Sequence, residues 1–554
     1  MRRSFGKIRL PRSVTCLRNY SVKSFASDLV AGVTVGLVAL PLAMAFAISS
    51  GMPPQRGIYT AIVAGFLVSA LGGSKCQIGG PTGAFVVVVS GIVATYGMDG
   101  LFMCTLIAGV LLMILGLTGL GTAVKYIPRP VMIGFTNGIA VLIASTQIKD
   151  FFGLRLDHVP GDFLGRIGAL LGSFGTLSPT ATLIATLSLI LIVVMMRYVK
   201  RVPGSIVALF LGTTVAWSMN LPIDTIGSRF GDIPVGFPPL VVPSFKPELI
   251  LLLLSPALTV TILGAVESLL SAVVADRMSS DKHDSNTELF AQGVANFCTP
   301  FFGGLPATGA IARTATNIRS GAQTPLAGII HALVLLVVLL VAAPVAKHIP
   351  LAVLSAILLV VAYNMGEWSS VREIVKLSKA DIAVWMITFG LTVFADLSVA
   401  VEAGMILAAL LYIGKITSTT TVGEITADYV RDGFKHSLQS NPLPPGVSAF
   451  RIHGPFLFGS TDKLEIIEEQ LSSLPKVVLL RLRNMTAIDA TGLHALENLA
   501  DRLHASGRVL IVCGMRPQPL QLMRQAEFDR HLGHDNICPT LEGALQRARE
   551  VLAP

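Results

Sequence analysis

Charged residues are scarce in this chain. Lysine, arginine, aspartate and glutamate make up only 14% of its 554 residues, whereas an average soluble protein has about 25%. Hydrophobic residues reach 52%, and the mean hydropathy is +0.70. These values argue against a soluble globular protein and predict a polytopic membrane protein. The length allows one large membrane domain and one small soluble domain.

Cysteine is also rare, and the six cysteines are scattered along the chain. None belongs to a CxxC pair, which argues against a disulfide framework and against a metal site. No nucleophile–base pair and no cluster of metal ligands stands out, so the sequence predicts neither an enzyme nor a bound cofactor. The net charge of +9 does not indicate a nucleic-acid partner, because the basic residues are not gathered on one polar domain.

Long apolar segments follow one another through most of the chain, and a Pro-rich loop at 220–247 divides them into two series of seven. An odd number of spans makes the second series enter the lipid bilayer from the opposite side, so fourteen spans in an inverted repeat are predicted. Hydropathy alone leaves open that the count is wrong by one. The segments lie at 29–49, 57–73, 81–96, 101–119, 130–147, 180–197 and 204–219, and then at 249–275, 287–302, 308–320, 325–343, 350–363, 380–396 and 397–414.

Near residue 418 charged residues return and the apolar runs become short. The runs at 477–482 and 508–513 predict buried strands, and helices are predicted at 491–505, 518–525 and 541–551. Alternating strands and helices indicate a small α/β domain. Basic residues before the first span and in three later loops place both termini in the cytoplasm. The predicted domains are the N-terminal segment 1–28, the membrane domain 29–417 (repeats 29–219 and 248–417), the linker 418–446 and the α/β domain 447–554.

Two similar phrases introduce the third segment of each series. Residues 79–84 read Gly-Gly-Pro-Thr-Gly-Ala, and residues 303–310 read Gly-Gly-Leu-Pro-Ala-Thr-Gly-Ala. Backbone breaks at membrane depth are tolerated only inside protein or beside a water-filled cavity. Matched Gly/Pro breaks in two halves indicate the substrate site of a transporter. Each phrase is therefore predicted to begin a half-helix whose free N–H groups attract an anion.

Polar side chains at membrane depth are the next candidates. Glu267 lies inside the eighth segment, where a carboxylate costs about 2.5–3.5 kcal/mol, so it is a candidate proton carrier or cation ligand. Ser271 follows one turn later on the same face. Arg313 lies one turn into the second half-helix and would strengthen the attraction for an anion. Three alternatives stay open: a fixed ion pair that holds Glu267, an ion pair between Arg313 and Glu267, and extension of Arg313 to the membrane surface.

Two further positions are less distinctive by residue type. Phe46 follows Pro41 in the first segment and either lines the cavity or faces lipid. In the α/β domain, Asp489 is suited to cap the helix that opens there. Thr491 is a candidate phosphate acceptor at the exposed start of that helix. The alternative is that this motif is only a capped turn.

The chain resembles the sulfate permease (SulP) family, also called solute carrier family 26, from about residue 25 to its end. The resemblance includes a C-terminal STAS domain and implies a core domain and a gate domain that move against each other around an anion. It also implies a homodimer in a bacterial inner membrane and a cytosolic partner of the STAS domain, such as an acyl carrier protein. The motifs that carry it are residues 41–46, 80–83, 267–268, 313–321 and 489–492.

Within this family, residues 148–154, 158–160 and 301–304 resemble the subgroup of bacterial aerobic C4-dicarboxylic acid transporters. Glu267 is implied to couple transport to an ion, and sodium-coupled bicarbonate members of the family carry an aspartate at its position. The half-helix starts and the resemblance together give a set of candidate substrate-binding residues. They are Phe46, Thr82, Gly83, Ala84, Phe85, Ser271, Gly309, Ala310, Ile311, Ala312 and Arg313.

The predicted function is secondary active anion transport. We expect import of a C4-dicarboxylate such as succinate, fumarate or aspartate together with protons, which Glu267 would carry. One alternative is transport of sulfate or bicarbonate, either coupled to protons or sodium or by exchange. A second alternative, from another class, is a membrane-anchored signalling or scaffold protein that acts through its STAS domain.

Overall fold

The computed structural model describes residues 10–17, 20–121, 128–156, 160–199, 203–244, 246–395, 397–425 and 443–553. The chain divides into two compact units, Met1–Ile406 and Leu407–Pro554. The boundary lies before the predicted domain end at residue 417, inside the last long helix.

Helices make up most of the first unit, and two very short strands interrupt them. The strands are β1 (Gly79–Gly80) and β2 (Thr308–Gly309). The helices are α1 (Arg12–Leu17), α2 (Val22–Ser49), α3 (Pro54–Leu71), α4 (Ala84–Thr118), α5 (Arg129–Phe152), α6 (Phe163–Gly172), α7 (Pro179–Tyr198), α8 (Gly204–Ser218), α9 (Ile226–Phe230), α10 (Ile250–Ser279), α11 (Ser285–Cys298), α12 (Ile311–Arg319), α13 (Leu326–Val341), α14 (Ala343–Ala346), α15 (Leu351–Met365), α16 (Trp368–Ile374), α17 (Lys379–Phe394) and α18 (Leu397–Thr419).

Every predicted apolar segment overlaps one of these helices. The segments 81–96 and 101–119 both lie on α4, which breaks at Gly97 (φ 69°, ψ −170°) into two helical parts, 84–96 and 98–118. Six helices among the described residues are long and apolar enough to cross a membrane. The helices are therefore found where the segments predict them, whereas the count of fourteen spans stays a prediction.

Helix packing follows the order of the segments within the two series. Helix α13 packs against α2 and α3, and α4 packs against α10 and α11. Helices α5 and α17 pack together, as do α7 and α15. The seven segments of the first series correspond in order to the seven of the second. The counterparts of α13, α2 and α3 are α4, α10 and α11, and the counterparts of α5 and α17 are α15 and α7. Corresponding helices therefore make corresponding contacts, as a repeat requires.

Glycines allow α4 and α11 to approach each other closely. A Cβ placed on Gly109 would lie 2.6 Å from the backbone nitrogen of Phe297, and one on Gly293 would lie 2.5 Å from that of Met113. Small residues are favoured between membrane helices because they let the two backbones come into contact. Dispersion forces across that contact stabilise the helix pair.

We therefore expect Gly293→Ala to lower the free energy of unfolding by about 1–3 kcal/mol, the usual effect of an overpacked contact. Two of the three nearest neighbours of the added methyl are backbone atoms of α4, the nitrogen of Met113 at 2.5 Å and the oxygen of Gly109 at 2.7 Å, which no change of side-chain rotamer can move away. Thermal unfolding of the purified protein in detergent measures the effect. Gly91→Ala is the control, since a Cβ there meets no atom within 4 Å. Equal melting temperatures for the two variants would contradict the close contact.

The second unit contains a six-stranded sheet with helices on both faces. Its strands run in the order β3-β4-β5-β7-β8, and β6 pairs with β4. Strand β3 is antiparallel to β4, and the other pairings are parallel. The strands are β3 (Thr421–Glu424), β4 (Val447–Phe456), β5 (Val477–Arg481), β6 (Met485–Ile488), β7 (Val509–Cys513) and β8 (Ile537–Cys538), and the helices are α19 (Glu465–Glu468), α20 (Ala490–Ala505), α21 (Pro517–Gln525), α22 (Asp529–Leu532) and α23 (Leu541–Leu552).

The predicted α/β alternation is confirmed in this unit. Both predicted strands and all three predicted helices are present, and side chains from β5 are buried on both faces of the sheet, as parallel strands require. The structure differs at the predicted linker 418–446, because β3 lies within it and pairs with β4. The sequence did not predict β3, because a strand of four residues with few apolar side chains is too short to show a hydrophobic pattern. Residues 426–442 of the linker lie outside the described part of the chain.

Candidate functional site

The two Gly/Pro phrases cross each other at the centre of the candidate site. Strands β1 and β2 pair antiparallel, with Gly79 opposite Gly309 and Gly80 opposite Thr308. The N–H of Ala310 also donates to the carbonyl oxygen of Ile78 at 2.8 Å. Since antiparallel strands run in opposite directions, the helices that follow them leave the crossing in opposite directions, and both begin beside it.

The start of each following helix presents backbone N–H groups. In α12 the first intrahelical bond is donated by Thr314 to the carbonyl oxygen of Ala310 at 2.9 Å, so the amides of Ile311 and Ala312 precede it. In α4 the first bonds are those of Phe85 and Val86, to Thr82 and Gly83. Amides that precede the first helical bond carry the positive end of the helix dipole, and they attract anions.

Exposure differs between the two helix starts. Gly83, Ala84 and Phe85 are buried, and Phe85 lies against α10, where a Cβ on Gly264 would be 3.6 Å from its Cζ atom. Ala310 is buried as well, whereas Ile311 is 37% exposed and Ala312 is also exposed. The start of α12 is therefore the more accessible of the two.

Glu267 on α10 reaches the first phrase. Its Oε2 atom accepts a hydrogen bond from the hydroxyl of Thr82 at 2.9 Å. The side chain is 9% exposed. Among the described residues it has no ion-pair partner, so the alternative of a fixed ion pair finds no support. The carboxyl group thus lies directly beside the residue that precedes the start of α4.

Further hydrogen bonds fasten α10 to the crossing. The hydroxyls of Ser268 and Thr308 are 2.7 Å apart, and the N–H of Gly309 donates to the hydroxyl oxygen of Ser268 at 3.1 Å. One turn later, the hydroxyls of Ser271 and Thr314 are 2.9 Å apart. Ser271 therefore contacts α12, and the carboxyl of Glu267 and the starts of both half-helices belong to one hydrogen-bonded assembly.

Arg313 is directed at the backbone of the other phrase. Its Nη2 donates to the carbonyl oxygen of Pro81 at 2.9 Å, and its side chain is only 2% exposed. The Nη1 atom lies next to Gly80, where a Cβ would be 2.5 Å away. The structure thus supports neither an ion pair with Glu267 nor extension to the membrane surface. Arg313 joins α12 to the strand that leads into α4.

Phe46 on α2 also lies beside the start of α4. Its Cε1 atom would be 3.3 Å from a Cβ on Gly83, and the side chain is buried. This places Phe46 against protein rather than lipid. The structure accordingly gathers the predicted site residues of the first unit around the β1–β2 crossing.

A cavity of about 390 Å³ follows the first part of α4 away from the crossing. Val87, Ser90, Thr95 and Tyr96 of α4 and Arg166 of α6 contribute to its lining. Arg166 is buried and donates from Nη1 to the hydroxyl oxygen of Ser145 at 3.1 Å. Sequence reasoning missed this residue. Its only sequence signal was an arginine within the short apolar stretch 163–172.

In the second unit, Asp489 caps helix α20. Its side chain accepts a hydrogen bond from the N–H of Gly492 at 2.8 Å, and its other oxygen accepts one from Phe458 at 3.0 Å. Thr491 lies in the first turn and is exposed. The prediction of a capped helix start is therefore confirmed, whereas phosphorylation of the exposed Thr491 stays a prediction. Nearby in the sheet, burial raises the pKa of the Cys513 thiol to about 12, so this thiol is neutral at physiological pH.

These features define a class of protein. A helical membrane unit with two broken helices that cross at a buried polar site, followed by a small α/β unit, is the architecture of a secondary transporter. The chain belongs to the sulfate permease family: the family profile matches residues 25–388, and the STAS domain profile matches residues 441–544. Membership makes the protein a multi-pass membrane transporter for anions and not an enzyme.

Relatives that are named as transporters match over nearly the whole chain. The protein named "Putative sulfate transporter YvdB" of Bacillus subtilis (strain 168) is 40% identical over 94% of this chain and 97% of its own length. The bicarbonate transporter BicA of Picosynechococcus sp. is 30% identical, and the alignment covers 95% of each chain. These names favour the alternative substrates, sulfate and bicarbonate, and give no support to the predicted dicarboxylate subgroup.

Solved structures show the same fold. The transmembrane domain of a cyanobacterial BicA matches with a TM-score of 0.62 and 34% identity, over 70% of this chain and 98% of that one. The murine Slc26a9 anion transporter in its inward-facing state matches with a TM-score of 0.85, over 99% and 96% of the two chains. At 19% identity, the second comparison shows the fold alone.

Proposed function

We propose that this protein carries sulfate across the membrane by alternating access. The observation that carries the proposal is the antiparallel crossing of β1 and β2, which brings the starts of α4 and α12 to one place. Amides at a helix start bind oxyanions such as sulfate without a dedicated cation. The 40% identity to the protein named "Putative sulfate transporter YvdB" supports the choice of anion.

Within this proposal the substrate meets residues around both helix starts. The amides of Gly83, Ala84, Ile311 and Ala312 would donate to the oxyanion, because they precede the first helical hydrogen bonds. Arg313 would act by holding the strand before α4 in place, through Pro81. Its buried charge would also raise the local potential for an anion.

We further propose that Glu267 couples transport to protons. A buried carboxylate beside an anion site repels the anion while it is charged, and protonation removes that repulsion. Anion and proton would then bind together, since each raises the affinity for the other. The hydrogen bond with Thr82 links the carboxyl group directly to the phrase that begins α4.

The remaining architecture is proposed as follows. The chain has fourteen spans in two inverted series of seven. The corresponding contacts of α13 with α2 and α3, and of α4 with α10 and α11, support this arrangement. Both termini and the STAS domain lie on the cytoplasmic side of a bacterial inner membrane, and the transporter is a homodimer. The exposed Thr491 is a site where phosphorylation would alter binding of a cytosolic partner to the STAS domain.

Uptake into proteoliposomes tests the proposal. We expect labelled sulfate to enter faster with an inward proton gradient than without it, and excess unlabelled sulfate to block entry. Bicarbonate and succinate are measured in parallel, with proton and sodium gradients applied separately. Bicarbonate is the second candidate because of the 30% identity to BicA. If none of the three anions enters, the transport function itself is wrong, and a signalling role of the STAS domain gains support.

A further inference from the structure

Three apolar side chains from different helices surround the start of α4. A Cβ placed on Gly83 would lie 2.9 Å from Cδ1 of Ile143, 3.3 Å from Cε1 of Phe46 and 3.4 Å from Sδ of Met365. Ile143 belongs to α5, and Met365 is the last residue of α15. Phe46 is among the candidates from the sequence, whereas Ile143 and Met365 are not.

A polar tie holds Met365 in this position. The side-chain amide of Asn137 on α5 donates to the carbonyl oxygen of Gly366, the residue after Met365. The other end of the same amide accepts a hydrogen bond from Nε1 of Trp385 on α17 at 2.9 Å. Helix α5 therefore carries Ile143 itself and also fixes the end of α15, so that both apolar side chains reach Gly83 from one assembly of helices.

This contact differs from the bonds within the crossing. Glu267, Ser271 and the two phrases are joined by hydrogen bonds, whereas the three atoms nearest to a Cβ placed on Gly83 all belong to apolar side chains. Apolar contacts have no directional requirement, so separation of Ile143 and Met365 from Gly83 would itself break no hydrogen bond. An anion at the start of α4 would have backbone N–H groups on one side and these apolar side chains on the other.

We propose that Ile143 and Met365 form the wall opposite the amides of α4 and limit the size of the anion that the site accepts. The inference rests on the proposed transport function and deepens it. Backbone amides attract any anion, so they discriminate little by size, while a closely packed wall does. Ile143 is the stricter of the two, because its β-branched side chain has few rotamers and methionine is flexible.

A pair of variants tests the contact. Gly83→Ala adds a methyl group that meets Cδ1 of Ile143, and Ile143→Val removes that atom. We expect Gly83→Ala to lower the initial rate of sulfate uptake about tenfold, because the added methyl group overpacks the contact with Ile143. The double variant should recover the rate of Ile143→Val alone. Ile139→Val is the matched control, since Ile139 lies one turn earlier in α5 and is equally buried; combined with Gly83→Ala it should restore nothing.

Selectivity is measured with the same proteins. Molybdate and succinate, which are larger than sulfate, compete for labelled sulfate uptake, with selenate as the competitor of nearly equal size. In Ile143→Val the inhibition constants of the larger anions should fall about tenfold relative to selenate, the usual effect of one methyl group in an apolar pocket. In Met365→Ala, which removes three heavy atoms, they should fall by about tenfold or more. Unchanged relative constants, or a double variant as slow as Gly83→Ala, would overturn the proposal.

Thermal unfolding separates this inference from the proposed function. Gly83→Ala should lower the melting temperature, and Ile143→Val should reverse that loss where Ile139→Val does not. This rescue does not require transport. Absence of anion uptake by the wild-type protein would therefore contradict the proposed transport function. A failed rescue of the melting temperature would instead contradict the proposed wall of Ile143 and Met365.

Discussion

Glu267→Gln should carry its anion at a rate that no longer responds to a proton gradient. Glutamine has the shape of a protonated glutamate and keeps an oxygen that can accept the hydrogen bond of Thr82, which is 2.9 Å long in the structure. It cannot release a proton. We therefore expect the anion to move down its own concentration gradient as before. Accumulation of the anion driven by a proton gradient should be lost.

The control for this variant is a second buried carboxyl group. Glu288 on α11 accepts hydrogen bonds from the N–H groups of Gly73 and Ser74, at 2.9 and 3.1 Å. Glu288→Gln should reduce stability and leave the response to the gradient intact, because its oxygens hold a loop and not the start of α4. Stimulation of Glu267→Gln by protons at the wild-type level would show that the coupling role is wrong.

Gly80→Ala should abolish transport. Gly80 has φ +153°, a backbone angle that residues other than glycine rarely adopt. An added Cβ would also lie 2.5 Å from Nη1 of Arg313. Backbone strain and overpacking together amount to about 2–6 kcal/mol. The displaced guanidinium would also lose its hydrogen bond to Pro81, so the strand that leads into α4 would shift relative to α12.

Sulfate uptake and thermal unfolding of the same preparation measure this effect. Gly264→Ala is the control close to the site, because a Cβ there would meet Phe85 at 3.6 Å, an ordinary contact distance. It should retain transport. A folded Gly80→Ala protein with wild-type uptake would show that the position of Arg313 against the crossing is unimportant.

Much of the helical layout could be predicted from the sequence. Each apolar segment became a helix or part of one, because a long apolar run can satisfy its backbone in lipid only as a helix. The two similar phrases also predicted the half-helix starts, whereas the pairing of β1 with β2 was not predicted, because two residues each are too few to give a strand pattern. Helix α6, which carries Arg166 to the cavity, was missed because its ten residues are too few to give a spanning segment.

The sequence by itself determined which apolar segments form helices, where the two Gly/Pro breaks lie, and that a carboxyl group lies inside one of these apolar helices. Those properties depend on residue type and local order along the chain. Only the tertiary structure decided that Arg313 holds Pro81 and that Ile143 and Met365 face Gly83. In the sequence Ile143 resembles every other apolar residue of its segment. Its partner is set by which face of α5 meets α4, and that depends on the packing of helices far apart in the chain.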